Sequence, residues 1–292
     1  MIAVRRNKIR QATTLFSNSF FRKIVLEKDV AEIKRYVSKY IETATSLSNT
    51  FTYQDVIHTA YKCFEDNYRF EYLYKNKLIN QILLEKYKAK KSVVFTELSV
   101  AKSIADLVLI NGSAVLYEIK TELDKTSRLE SQIANYYKCF DEINIVTHEN
   151  LQSQYLKLAK NYGAGLIIYN SNHKLENLKK PQKDGSRLCH LELFKLLRKD
   201  EVLSIFNKQN IPFLKVPNTK FFKYFYELSK GIDIACFQHL VFQEIKRRKL
   251  EYTPKLIADE IPIEIKQIFN CLNFNNTDTS FLLNLLKKKI RD

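Results

Sequence analysis

The stretch IADLVLINGSAVLYEIK, Ile104 to Lys120, limits the fold more tightly than any other part of the chain. Two runs rich in Val, Ile and Leu flank Asn111-Gly112, a turn signal, and the pattern reads as two strands joined by a hairpin. Asp106 stands near the start of the first run; Glu118 and Lys120 stand near the end of the second. Taking a carboxylate out of water is costly unless it gains a partner, so acids inside apolar strands demand an account. Strand side chains alternate, which places Glu118 and Lys120 on one face. The separation 118 − 106 = 12 residues lets a tight hairpin bring Asp106 beside Glu118.

The flanking pattern supplies the fold class. Thr14 to Ala44 carries apolar residues at helical spacing without Gly or Pro, and Tyr53 to about Lys88 does the same with a break near Asp66-Asn67. From Ser92 the runs SVVFTELSV, IADLVLI, AVLYEIKT, INIVT and GLIIY have the composition of strands. DKTSRLESQIANYYKCF lies between the third and fourth runs and reads as a helix, with Asp124 or Thr126 as its N-cap. Glu149 to Tyr162 reads as another. The first three strands form a meander and the last two need crossovers, so the expected fold is α/β with a mixed sheet flanked by helices. Residues 1–66 are expected as a helical N-terminal region and 67–170 as the core. A basic loop or linker then spans 171–187, and a helical C-terminal region spans 188–292, interrupted at Pro212, Pro217, Pro254 and Pro262.

Composition bears on partners. The 292 residues hold 48 Lys and Arg against 32 Asp and Glu, a formal charge of +16. Such a surplus favours a polyanion, DNA first, although lysine used only for solubility gives the same sum. The five cysteines are widely spaced and never form a Cys-x-x-Cys pair, which points to a reducing compartment and away from a zinc ribbon. No apolar run is long enough to span a membrane, and MIAVRRNKIRQATT lacks the apolar segment of a secretory signal. The expectation is a cytoplasmic protein without a membrane partner, with the C-terminal region available for a homodimer contact or a partner protein.

The tripeptide Glu-Ile-Lys occurs four times, at Glu32, Glu118, Glu244 and Glu264. Three copies lie in helical surroundings, where residues two apart do not face each other and the charges read as surface residues. Only Glu118-Ile119-Lys120 lies in a strand. Two carboxylates held together repel, and a divalent cation relieves the repulsion. Oxygen donors from Asp106 and Glu118 with a backbone carbonyl suit Mg²⁺, with Mn²⁺ as a substitute. Spacing alone leaves a second reading open, a structural Asp–Lys ion pair on an exposed sheet face.

Asp106, the turn and Glu118-Ile119-Lys120 resemble the core of the PD-(D/E)XK nuclease superfamily. Ala105 stands where the motif's name has Pro. SQIANYY adds Gln132 and Tyr136, one helical turn apart, similar to the Gln-x-x-x-Tyr motif of the RecB-like branch. The resemblance covers about residues 68–169. It implies a restriction-endonuclease-like core and a Mg²⁺-dependent phosphodiesterase acting on DNA. Asp106, Glu118, Ile119 and the helical Glu71 would hold metal, and Lys120 would handle the attacking water. Gln132 and Tyr136 would position substrate. The alternatives are a Holliday-junction resolvase on the same core, or a nucleic-acid-binding protein that keeps the fold without catalysis.

Around this constellation, Lys102, Lys125, Arg128 and Lys138 are the expected phosphate contacts. Glu71 also has Lys75 one turn away as an ordinary ion-pair partner, with Glu85 in reserve. Glu97 and Glu122 read as solvent-facing and His148 as a surface histidine. Tyr137 and Phe140 read as core.

Overall fold

The computed structural model describes residues 2–43, 50–81, 92–122, 124, 126–249 and 260–290. The chain forms two compact units, Met1–Glu85 with Pro254–Asp292, and Lys86–Thr253.

The first unit is mainly helical. β1 (Ile2–Val4) and β2 (Ile41–Thr43) make a two-stranded antiparallel ribbon around α1 (Ile9–Ala12), α2 (Asn18–Val25) and α3 (Ala31–Tyr40). α4 (Tyr53–Asn67) opens on a capping box in which Thr52 and Asp55 satisfy each other's backbone N–H groups. It ends at Asn67, where the sequence placed a break, and α5 (Glu71–Leu78) follows. Aromatic packing fills the interior: Phe16 meets Tyr61, Phe64 and Tyr72 at centroid distances of 5.6, 5.9 and 4.9 Å. Polar anchors bring in the distal segment, with Asn76 Nδ2 donating to Ile263 O at 2.8 Å and Tyr72 donating to Glu264 O at 2.7 Å.

The second unit is built on one six-stranded sheet. Its strands are β3 (Val93–Val100), β4 (Ser103–Asn111), β5 (Ser113–Lys120), β6 (Glu142–His148), β7 (Gly165–Tyr169) and β8 (Leu175–Lys179), adjacent in chain order. β3, β4 and β5 are antiparallel neighbours; β5, β6 and β7 run parallel; β8 returns antiparallel. The parallel steps need crossovers, supplied by α6 (Leu129–Tyr136) and α7 (Gln152–Tyr162). The α/β class and mixed sheet are as the sequence pattern indicates.

The β4–β5 connection is as short as a hairpin permits: Asn111 pairs with Ser113 across Gly112, whose φ of 77° lies in the left-handed region that glycine enters without strain. Four helices follow the sheet, α8 (His190–Lys195), α9 (Lys199–Lys208), α10 (Asn218–Ser229) and α11 (Ile234–Arg247). They share its core, where Phe140 packs on Phe242 at 4.8 Å.

Two expectations are corrected by the fold. Residues 171–187, read as a loop or linker, contain β8, an edge strand that buries only Leu175. The helical Glu-Ile-Lys copies are not uniformly surface charge either. Glu244 and Glu264 are buried, the first against Lys208 and Arg247, the second against His58 at 2.6 Å. Among the described residues, no helix is long and apolar enough to cross a membrane.

Candidate functional site

The site forms where β4 and β5 separate. Their ladder ends at Leu107 opposite Tyr117; beyond it, β4 continues paired with β3 alone and β5 with β6 alone. The next rung would set Asp106 against Glu118. Instead of a backbone bond, the Ile119 N–H donates to Asp106 Oδ2 at 2.7 Å. A carboxylate thus satisfies a strand donor that has left the ladder. Asp106 is half-buried and Glu118 is 1% exposed.

α6 closes over the gap. Gln132 and Tyr136 are one turn apart and share the face turned toward it. The Tyr136 hydroxyl lies 2.7 Å from Glu118 Oε2 on β5 and 2.7 Å from Ile104 O on β4, bridging the separated strands. Lys120 Nζ lies 2.7 Å from Glu118 Oε1 and donates to Gln132 Oε1 at 2.9 Å, with Lys120 only 7% exposed. Burial, reinforced by the Glu118 and Asp106 carboxylates, pushes the Tyr136 phenol far above its ordinary range, so it remains a neutral donor. The second reading left open by spacing, an exposed Asp–Lys pair, does not hold: lysine pairs with Glu118, and the pair is buried.

The segment after Lys120 is tied down as well. Thr147 donates to Lys120 O at 2.7 Å from β6. The Thr121 N–H and hydroxyl both donate to Asp124 Oδ2, at 2.7 and 2.8 Å, which turns the chain toward α6.

The structure therefore brings together Asp106, Glu118, Ile119, Lys120, Gln132 and Tyr136. Glu71 lies in the first unit at the start of α5, half exposed, and is ion-paired with Lys75. Lys102 is exposed in the turn between β3 and β4, and Arg128 is exposed at the start of α6. Lys138 donates to Asn135 Oδ1 at 3.1 Å. Lys125 and Glu85 lie outside the described residues.

Tyr137 and Phe140 are core, as expected. Glu97 is exposed, between the Thr96–Leu107 and Leu98–Ala105 pairs, with a φ of 57° that is rare for a non-glycine residue in a strand. Glu122 is 41% exposed and accepts from Asn150 Nδ2 at 3.3 Å. His148 is not at the surface: it is buried at the end of β6, where its Nδ1 accepts from the Asn150 N–H at 3.3 Å.

Among the described residues, no group of three or more His, Cys, Asp or Glu side chains is arranged to hold a metal ion. The donor set at the gap is two carboxylates beside a strand backbone. That set fits a hard cation that keeps most of its waters, as Mg²⁺ does, and does not fit a zinc-type cage.

Comparison with known proteins decides the family. The model of the family described as Bacteriophage P4 protein cII matches residues 64–270, and 270 − 64 + 1 = 207 of the 292 residues is well over half. The chain belongs to the bacteriophage P4 protein cII family. Within it, Protein cII of Enterobacteria phage P4 is 30% identical over 111 residues, covering 37% of this chain and 42% of that protein. The matched region is thus less than half the length of the phage P4 relative. No solved structure matches.

Membership of the cII family corrects the expected one. Its span runs through the whole stretch, 68–169, on which the PD-(D/E)XK resemblance rested. The nuclease and resolvase functions implied by that resemblance are set aside with it, and the match adds no support for a binding protein on a nuclease fold. A few charged residues at a strand gap are a local solution that unrelated families can share.

Proposed function

We propose that the second unit binds a divalent cation, Mg²⁺ or Mn²⁺, between Asp106 and Glu118, and that this cation helps to hold a phosphate group of DNA. The observation that carries the reading is the position of Asp106 and a nearly fully buried Glu118 one residue past the last β4–β5 pair, Leu107 with Tyr117, where the two strands part. Two carboxylates brought to one strand gap attract a cation for the same reason that they repel each other. A carboxylate offers about four lone-pair positions, so the bonds from Ile119, Lys120 and Tyr136 leave room for a further ligand.

Each nearby side chain then has a binding task. Tyr136 and Lys120 fix the Glu118 carboxylate in place. Gln132 holds the Lys120 ammonium, which adds positive charge beside the Glu118 carboxylate. Lys102 and Arg128 are exposed and can meet the anionic backbone. The +16 charge favours a polyanion as the source of the phosphate.

Calorimetric titration with Mn²⁺ tests the cation site: binding is expected in the wild type and lost in Asp106→Ala. A DNA-affinity measurement at constant ionic strength tests the phosphate, with tighter binding expected when Mg²⁺ replaces an equivalent of monovalent salt. Equal Mn²⁺ binding by wild type and Asp106→Ala overturns the site, and unchanged DNA affinity overturns its connection to phosphate.

A further inference from the structure

Tyr155 lies near the N-terminal end of α7 and is fully buried, yet its hydroxyl has no hydrogen-bond partner among the described residues. A buried hydroxyl left without a partner is unfavourable, and phenylalanine would fill the same space without that cost. The hydroxyl therefore requires a partner that is not a side chain or backbone group of the described residues.

Topology says where this partner lies. β5 and β6 run parallel, with Glu118 level with Ile145 and Lys120 level with Thr147. The chain leaves β6 at His148 and enters α7 after one short turn, Glu149–Leu151. The first turns of α7 thus stand at the C-terminal edge of the β5–β6 pair, the edge that carries Glu118, Lys120 and Thr121. Burial first, and then the carboxylates of Asp124 and Glu118, raise the Tyr155 phenol above its ordinary range. Tyr136 on α6 and Tyr155 on α7 also belong to one core cluster.

We propose that the Tyr155 hydroxyl is a positioning group of the Asp106–Glu118 site, holding a buried water that bonds to the Glu118 carboxylate. Buried waters make two to four bonds to groups that otherwise lack partners, and a phenol with a carboxylate nearby meets that need. The water places Glu118 in its cation-binding orientation from the α7 side, while Tyr136 does so from α6. The inference rests on the cation reading above for its function, but the water contact itself can be tested without metal.

The experiment compares wild type, Tyr155→Phe, Glu118→Gln and the double variant, with Tyr137→Phe as a buried-tyrosine control. Melting temperatures without metal are expected to fall in Tyr155→Phe, with a smaller fall when Glu118→Gln is already present. Mn²⁺ affinity, followed by electron paramagnetic resonance, is expected to weaken about three- to tenfold in Tyr155→Phe, the worth of one hydrogen bond, and to stay unchanged in Tyr137→Phe. A Tyr155→Phe protein that melts at or above the wild-type temperature in both backgrounds overturns the water contact. Normal Mn²⁺ affinity in Tyr155→Phe overturns the positioning role. Absence of Mn²⁺ binding in the wild type overturns the cation reading and the positioning role together, leaving the melting data to decide the water.

Discussion

The phenol oxygen of Tyr136 lies 2.7 Å from Glu118 Oε2, with Ile104 O at the same distance on the neighbouring strand. One hydroxyl, with a single proton to donate, stands within hydrogen-bond distance of acceptors on two strands that have ceased to bond each other. The helix thus closes the gap in the sheet with a side chain, and the same side chain fixes the carboxylate inside it.

Tyr136→Phe removes that bridge and keeps the ring. Glu118 and Ile104 O each lose a contact while the packing survives. Urea denaturation is expected to show a loss of about 1–3 kcal/mol, the cost of leaving buried polar groups short of a donor. Unchanged stability would show that the phenol contributes nothing to holding β4 and β5 at this point.

Lys120→Met is expected to be worse. It leaves the nearly buried Glu118 carboxylate without its ammonium, and breaking one side of a buried ion pair costs about 3–5 kcal/mol. Adding Glu118→Gln removes the stranded charge and is expected to recover most of the loss. A double variant as unstable as Lys120→Met alone would mean that lysine acts through packing of its chain rather than its charge. The equivalent change at Lys34, which is exposed in its helical copy of the tripeptide, is expected to have little effect on stability.

These residues were legible in the sequence because local rules decide them. Period two fixed Glu118 and Lys120 on one strand face, the Asn111-Gly112 turn fixed the register that sets Asp106 opposite, and one helical turn aligned Gln132 with Tyr136. What escaped depends on distant partners. Glu244 and Glu264 look like their copy at Glu32, which is half-buried and paired with nearby Lys23 and Arg35, but a lysine 36 residues away and a histidine 206 residues away allow them to be buried. His148 is buried because β6 lies inside the sheet, which its own sequence does not announce. β8 escaped because Leu-Glu-Asn-Leu-Lys at an exposed edge lacks an alternating apolar face. The family was misread because a handful of site residues carried the comparison, whereas the cII match rests on 207 positions, 64 to 270.

The chain is rich in buried tyrosine, and this sets its response to alkali. Burial, with the Asp124 and Glu118 charges, pushes the Tyr155 phenol up to about 12. Burial also raises Tyr36, Tyr61, Tyr72 and Tyr136. An unfolded tyrosine ionises near 10, so the stability gained by keeping these phenols neutral is full below pH 10 and drains away as pH climbs through the folded values. Stability is expected to fall from about pH 10 upward. Phenolate absorbance should rise in two stages, the second coinciding with loss of helical circular dichroism. A single early stage with the fold intact would mean that these hydroxyls are open to solvent.

The charge surplus supplies the last test, which separates phosphate contact from mere solubility. If basic side chains neutralise phosphates, DNA binding releases counterions, and log affinity falls against log salt with a slope of about −0.9 per contact. Arg128→Ala, at the exposed start of α6, and Lys102→Ala, in the exposed turn before β4, are each expected to lower that slope by about one. Asp106→Ala removes an anion and no phosphate contact, so its slope in metal-free buffer should match the wild type. In Mg²⁺ the two proteins should diverge, because only the wild type gains the cation's contribution. Affinity that stays flat between low and physiological salt would assign the +16 charge to solubility, and DNA would no longer be the source of the phosphate.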